Sequence, residues 1–191
     1  MNKELKELIK SDIYRHYGCS KKPFLWKRHN PSLNYQIVLR KAHYFNCVKQ
    51  SIIKGKYYRY ALNKISRKMQ MQIPYTAEIG KGLIIIHFGR LILSPETKIG
   101  SNCNLFTGVT IGSTTRGEKK GVPIIGDRVW IGPNAVIVGK VKIGNNVLIA
   151  ANSYVNFDVP DNSIVIGNPG KIKSSTNATE SYICQTWEND N

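Results

Sequence analysis

Residues 125–155 of the 191-residue chain read IGDRVWIGPNAVIVGKVKIGNNVLIAANSYV. A period of six in its aliphatic residues fits neither the 3.6-residue turn of an α-helix nor the two-residue repeat of a simple strand. It indicates a short strand followed by a turn, repeated along the chain, with one aliphatic side chain per repeat pointing inward. The residues that keep this period are Ile125, Ile131, Ile137, Ile143, Ile149 and Val155.

The same period extends back to residue 73. Three such hexads close one triangular coil of a parallel β-helix, so each inward residue stacks on another 18 positions along the chain. We therefore predict a mainly β fold, a parallel β-helix of hexapeptide repeats over residues 71–173. The additional inward positions form two blocks, Ile73, Ile79 and Ile85, then Leu93, Ile99, Leu105 and Ile111.

The period breaks at two places. Ile85 and Leu93 are eight residues apart, which places a two-residue insertion at His87–Arg90. Ile111 and Ile125 are fourteen residues apart, which predicts a protruding loop at about residues 113–123. Insertions in a solenoid lie on its surface and often form the functional site.

The flanking segments lack the repeat. Residues 1–70 show helical spacing, which predicts helices near 5–17, 33–50 and 56–68 and a basic helical N-terminal domain. Residues 18–31 are interpreted as a connector. Residues 174–191 are polar and rich in Ser, Thr and Asn, so we expect a flexible tail.

Positive charge is concentrated in the N-terminal segment. Residues 1–70 carry a net charge of +14 and residues 71–191 only +2, of a total of +16. Such a segment favours a polyanionic neighbour, either an acidic glycan or an anionic membrane face, or else is a solvated surface. No nucleic-acid-binding motif is recognisable. The sequence shows no pattern typical of a secretory signal or of a membrane-spanning helix. The four cysteines are scattered and form no disulfide-like framework, so we expect a cytoplasmic location. One cluster of this charge is Lys21, Lys22, Lys27 and Arg28.

The chemistry centres on one histidine. The chain has four histidines and only His87 lies in the repeats, so a three-histidine metal site is not available there and no metal is expected. A lone histidine is commonly a packing residue, but His87 opens an insertion beside Gly89. Its imidazole can take a proton from a hydroxyl near neutral pH. Acyl transfer also needs a donor to the thioester oxyanion, for which the candidates are the backbone N–H groups of Gly112 and Ser113.

Several motifs carry a resemblance to a known family. The stretches HFG at 87–89, VTIG at 109–112, IGPNAVIVG at 131–139 and VPDNSIVIGNPGKI at 159–172 resemble the serine acetyltransferase-like branch of the hexapeptide-repeat acyltransferases. More loosely, residues 5–70 resemble members from capsule, exopolysaccharide and lipopolysaccharide gene clusters. The resemblance implies a left-handed β-helix, a homotrimer, acetyl-CoA in a groove between subunits, and His87 as general base in direct transfer.

Acetyl-CoA is expected to lie along small side chains and backbone. Gly132, Ala150 and Ala151 would let the pantetheine arm lie against the coils beside the closing turn at 167–171. Lys171 and Lys173 are candidates for the CoA phosphates, although lysines in such positions are equally often solvated.

The chain departs from serine acetyltransferases at positions that pair with the base histidine or recognise serine. Those enzymes carry an aspartate where this chain has Gln72, an acid at Ile86, and an Arg–His pair at Gly121 and Val122. We therefore predict transfer to a hydroxyl of a sugar or surface polysaccharide rather than to serine.

Acceptor contacts are assigned to Gln72, Arg90 and Arg116. Three alternatives stay open: a serine O-acetyltransferase, an N-acetyltransferase of an amino sugar, and a non-catalytic basic β-helix scaffold. The acceptor itself could be acidic, given the charge of residues 1–70.

Overall fold

A computed structural model describes residues 2–19 and 30–188. Among these residues, three α-helices precede the repeats: α1 (Lys3–Tyr17), α2 (Pro31–His43), which continues into a π-helical turn at Tyr44–Val48, and α3 (Ile52–Met69). They lie where the helical spacing predicts them. Most of the connector at 18–31, including the four cationic residues singled out above, lies outside the described residues.

The helix ends follow from local sequence. Gly18 closes α1 in the left-handed region (φ 68°) and donates its N–H to Tyr14 O at 2.7 Å. Asn30 caps α2 by accepting from the N–H of Leu33 at 2.9 Å. Gln70, also left-handed, ends α3 and leads directly into the first strand. None of the described helices combines the length and apolarity needed to cross a bilayer.

In the described part of the chain, fifteen short strands form the three faces of a parallel β-solenoid. Sheet A contains β1 (Met71–Gln72), β4 (Leu91–Leu93), β7 (Thr110–Gly112), β10 (Val136–Val138) and β13 (Tyr154–Val155). Sheet B contains β2 (Glu78–Ile79), β5 (Lys98–Ile99), β8 (Ile124–Ile125) and β11 (Lys142–Ile143). Sheet C contains β3 (Ile84–Ile86), β6 (Asn104–Phe106), β9 (Val129–Ile131), β12 (Val147–Ile149), β14 (Ser163–Ile166) and β15 (Lys171–Ser174), which alone runs antiparallel.

The strand register confirms both insertions. Ile131 pairs with Ile149, 18 residues on, as an uninterrupted coil requires. Ile85 pairs with Leu105 at a separation of 20, and Leu105 pairs with Ile131 at a separation of 26. Two and eight residues are therefore inserted in those coils. The inward aliphatic positions named above are buried, except that Ile79 is partly exposed.

A buried polar network attaches the helices to the first coil. Arg40 of α2 pairs with Asp12 of α1 through two bonds of 3.0 Å and also donates to the carbonyls of Ile79 and Gly80. Asp12 accepts from the N–H of Leu83 at 3.0 Å as well. Because these partners are backbone groups of the first coil, the helical layer fixes the segment that leads into β3.

The C-terminal segment differs from the expected flexible tail. After β15, residues 175–188 pack against the β-helix. Trp187 is buried, contacts the Tyr14 ring edge-on, and donates its backbone N–H to Asn102 Oδ1 at 2.8 Å. Thr179 donates its hydroxyl to Asn146 Oδ1 at 2.6 Å. Polar residues of the tail thus find partners among the asparagines at the turns of the coils, which composition does not reveal.

Candidate active site

The corners between sheets C and A form a column along the β-helix, which we call the C–A edge. Neighbouring coils are about 4.8 Å apart along such a column. His87 in the first coil and Ala151 in the fourth are therefore separated by about 14 Å along the axis. The predicted base and much of the predicted acetyl-CoA surface lie on this edge. Its turns are residues 87–90, 107–108, 133–134, 151–152 and 167–170.

His87 begins the widened turn of the C–A edge. It directly follows β3 and adopts a φ of +59°, which is uncommon for a residue other than glycine and often marks a functional site. Its side chain is exposed and makes no hydrogen bond within residues 2–19 and 30–188. His16 and His43, by contrast, bond to Gln36 Oε1 and Tyr75 O at 2.9 and 2.8 Å. His16 and His43 are thus hydrogen-bonded packing residues, whereas His87 is not.

Gly89 brings this turn close to the next coil. With a φ of +144°, it would place a Cβ 2.5 Å from Thr107 Oγ1, so a side chain there would displace the turn. The imidazole is consequently presented at the surface by a turn that rests on the coil beneath it.

The small residues predicted for acetyl-CoA differ in their exposure. Ala151 is exposed on the C–A edge and Ala150 is partly exposed beside it. Gly132 is buried, and a Cβ there would come within 2.7 Å of both Ala151 N and the Trp130 ring. Its lack of a side chain therefore serves packing inside the chain and does not itself open a ligand surface.

Lys171 and Lys173 lie on β15. Both are exposed, and they pair with Ile166 and Ile164 of β14. Lys171 adjoins the closing turn of the C–A edge, whereas Lys173 lies two residues farther across sheet C. The two cations are thus near the end of the column opposite to His87.

The predicted oxyanion donors lie on a different edge. Gly112 ends β7 and Ser113 follows it at the corner between sheets A and B, and Arg116 belongs to the loop at that corner. A three-residue strand advances about 10 Å, and His87 is also one coil away. Donors must approach the oxyanion to about 3 Å. Within one chain, His87 and the candidate donors Gly112 and Ser113 therefore lie apart, because the two insertions occupy opposite ends of sheet A.

The loop folds on itself at this second edge. Thr114 and Gly121 exchange two backbone hydrogen bonds of 3.0 and 2.9 Å, and Lys119 O accepts from the N–H of Lys140 in the next coil at 2.8 Å. Arg116 is exposed near the tip. It does not meet Gln72 or Arg90.

Gln72 and Arg90 do come together. They line one cavity of about 510 Å³ on the outer face of sheet A, which we call the α3–β1 cavity. Its wall also includes Arg67 from the last turn of α3, a residue that sequence reasoning missed. Arg67 belongs to no motif, and only the direct passage from α3 into β1 places it beside Arg90.

The described residues contain no group of three or more His, Cys, Asp or Glu side chains that could hold a metal ion. The one cysteine in the repeats, Cys103, is fully buried, and burial raises the pKa of its thiol to about 12. It is therefore a packing residue rather than a nucleophile at neutral pH.

Comparisons with known proteins fit the coils described above. Residues 123–156 match a family model described as bacterial transferase hexapeptide (six repeats). This match covers the later coils, from β8 to β13. The whole chain also resembles a crystal structure of serine acetyltransferase from Brucella abortus in complex with coenzyme A, with a TM-score of 0.75 and 27% identity over 91% of this chain and 69% of that one. The left-handed β-helix predicted from the sequence is thereby confirmed.

Two further similar proteins are also serine acetyltransferases. The serine acetyltransferase of Neisseria gonorrhoeae in complex with serine gives a TM-score of 0.71 and 26% identity over 89% of this chain and 69% of that one. The serine acetyltransferase of Staphylococcus aureus is 41% identical over 113 residues, 59% of this chain and 53% of that protein. The chain thus spans about half the length of this curated relative.

These relatives contradict the predicted sugar or polysaccharide acceptor, because they are serine acetyltransferases. The resemblance of residues 5–70 to members from capsule and lipopolysaccharide gene clusters is likewise not supported. Departures at single positions such as Gln72 and Val122 do not outweigh the similarity of the whole repeat.

Proposed function

We propose that this chain is an acetyl-CoA-dependent serine O-acetyltransferase in which His87 is the general base. The observation that carries the proposal is the exposed imidazole of His87, held on an inserted turn of a left-handed β-helix. The similarity to serine acetyltransferases, among them structures in complex with serine and with coenzyme A, supports the acceptor and the acetyl donor.

The proposed reaction is direct transfer. The neutral imidazole of His87 accepts the proton of the serine hydroxyl while the hydroxyl oxygen attacks the thioester carbonyl of acetyl-CoA. A bond forms between oxygen and the acetyl carbon, the carbon–sulfur bond breaks, and the proton passes to the departing CoA sulfur. The products are O-acetyl-L-serine and CoA.

The acetyl donor is proposed to lie along the C–A edge. Ala150 and Ala151 leave backbone accessible three coils from His87, and Lys171 adjoins the closing turn one coil farther on. If the thioester of acetyl-CoA lies at His87, its pantetheine arm would follow these turns and the CoA phosphates would lie near Lys171 and Lys173. Positive charge there favours phosphate.

The assembly is proposed to be a homotrimer. Because Gly112, Ser113 and Arg116 lie on the edge away from His87, they can serve the same reaction only if the loop of one copy reaches the C–A edge of another. Sedimentation at three times the chain mass of 21.6 kDa would support this assembly, and a monomer with full activity would contradict it.

An acceptor comparison tests the proposed function. Release of CoA from acetyl-CoA is measured with L-serine, nucleotide sugars and an acidic polysaccharide as acceptors. The proposal expects saturable turnover with L-serine. Turnover with a sugar acceptor and none with L-serine would overturn it, and tight CoA binding with no acceptor turnover at all would favour a non-catalytic scaffold.

A further inference from the structure

The α3–β1 cavity carries two arginines and no acidic residue. Arg67 enters from the last turn of α3, and Arg90 enters from the turn that begins with His87. Gln70 and Gln72 add amide groups to the same wall. Neither arginine forms an ion pair with a carboxylate in the part of the chain that the structure describes. The two guanidinium groups therefore present uncompensated charge to whatever fills the cavity.

Turn geometry does not explain Arg90. In the register of sheet A, the equivalent positions in the next three coils are Gly108, Asn134 and Asn152, all with positive φ. The two-residue insertion frees Arg90 from that conformation. Its side chain is thus not required by the fold of the corner.

Helix electrostatics explain Arg67 only in part. A cation in the last turn of a helix is stabilised by the partial negative charge of the helix C-terminus. Lys68 occupies the same turn and has the same benefit, yet it does not line the cavity. Comparing Arg67 with Lys68 therefore distinguishes stabilisation of the helix C-terminus from a function in the cavity.

The cavity is close to the proposed base. His87 and Arg90 belong to one turn, and three residues of chain span at most about 11 Å. Gln72 and Ile92 pair on neighbouring strands beneath that turn. A small molecule with its anionic group between the arginines can thus present a hydroxyl toward the C–A edge.

We infer that the α3–β1 cavity is the carboxylate subsite for the amino-acid acceptor, with Arg67 and Arg90 as the residues that bind it. The inference rests on the proposed function in taking L-serine as the acceptor. Arginine binds carboxylates through paired hydrogen bonds, which a neutral acceptor cannot use. This subsite supplies the cations that positions 121 and 122, here Gly and Val, do not.

The test compares two acceptors that differ only in the carboxylate, L-serine and 2-aminoethanol. Arg67→Gln and Arg90→Gln should each lower kcat/KM for L-serine by about 10- to 100-fold, the range expected for a lost hydrogen bond to a charged group. The values for 2-aminoethanol and the KM for acetyl-CoA should stay unchanged. Lys68→Gln, which removes a neighbouring charge outside the cavity, should behave like the wild type.

The outcomes separate this subsite from the proposed function. Unchanged serine kinetics in both arginine variants, or equal losses with both acceptors, would overturn the subsite and leave the serine acetyltransferase proposal standing. If the wild type fails to acetylate L-serine, the proposed function is wrong. Calorimetric binding of L-serine then decides the subsite by itself: binding lost in Arg90→Gln but kept in Lys68→Gln supports it, and equal binding, or none to the wild type, refutes it.

Discussion

Replacing Asp12 by alanine should strongly destabilise the chain. Asp12 is fully buried and accepts two hydrogen bonds from Arg40 and one from the N–H of Leu83, each 3.0 Å long. The variant leaves a guanidinium buried without its counter-charge, which costs about 3–5 kcal/mol in comparable pairs. The unpaired amide of Leu83 adds to this cost. An expected loss of about 4 kcal/mol is a large share of the 5–15 kcal/mol typical of a whole domain.

Urea unfolding followed by circular dichroism measures this loss. With a slope of about 2–3 kcal/mol/M, the midpoint should fall by about 1.3–2 M. The matched control is Glu78→Gln, which breaks the exposed 2.9 Å pair with Lys98 and should cost less than about 1 kcal/mol. A similar small loss in both variants would refute the reasoning that the buried pair attaches the helices to the first coil.

Four further outcomes are expected. Cys103 should resist thiol reagents at pH 8 in the folded protein and react after denaturation, because burial raises its pKa to about 12; rapid labelling would contradict its burial. Burial lowers the pKa of His16, so the unfolded chain binds the extra proton and stability should fall as pH drops below about 6.5; a flat thermal midpoint from pH 7 to 5 would argue against this. Trp187→Ala should cost about 3 kcal/mol and expose residues 175–188 to protease, whereas unchanged resistance would show that the ring does not hold the tail. The exposed face of α3 carries Ile53, 84% exposed, among basic residues and no acid, so the chain should bind anionic vesicles at low salt and release them at high salt; equal binding to neutral vesicles would refute this.

The repeat could be predicted because burial fixes it. An inward aliphatic residue every six positions satisfies one geometry only, and the inserted residues must then leave the core. The observed separations of 20 and 26 between paired strands follow directly from the spacings Ile85–Leu93 and Ile111–Ile125. The helical segments were equally visible as apolar spacing.

The placement of the two insertions was also contained in the sequence. Between Ile85 and Ile111 there are four hexads once the two inserted residues are removed. Three hexads complete one coil, and the fourth moves the chain on to the next face of the β-helix. His87 and the loop must therefore occupy different edges. Within one chain, that count separates Gly112 and Ser113 from His87.

Other features depend on contacts between distant segments. Arg67 lines the same cavity as Arg90 only because α3 ends where β1 begins. The tail looks loosely held by composition, yet Asn102 and Asn146 supply its partners from turns far away in sequence. The acceptor was wrongly predicted because single substitutions such as Gln72 do not show whether another cation takes over the same task.

The central claim is that His87 removes the proton of the serine hydroxyl. Its most direct test is the rate of O-acetyl-L-serine formation from acetyl-CoA and L-serine, measured by mass spectrometry for wild type, His87→Ala and His43→Gln. The account predicts a loss of about 10²- to 10⁴-fold in kcat for His87→Ala with little change in acetyl-CoA affinity, and near-normal turnover for His43→Gln. Near-normal formation of O-acetyl-L-serine by His87→Ala would contradict it.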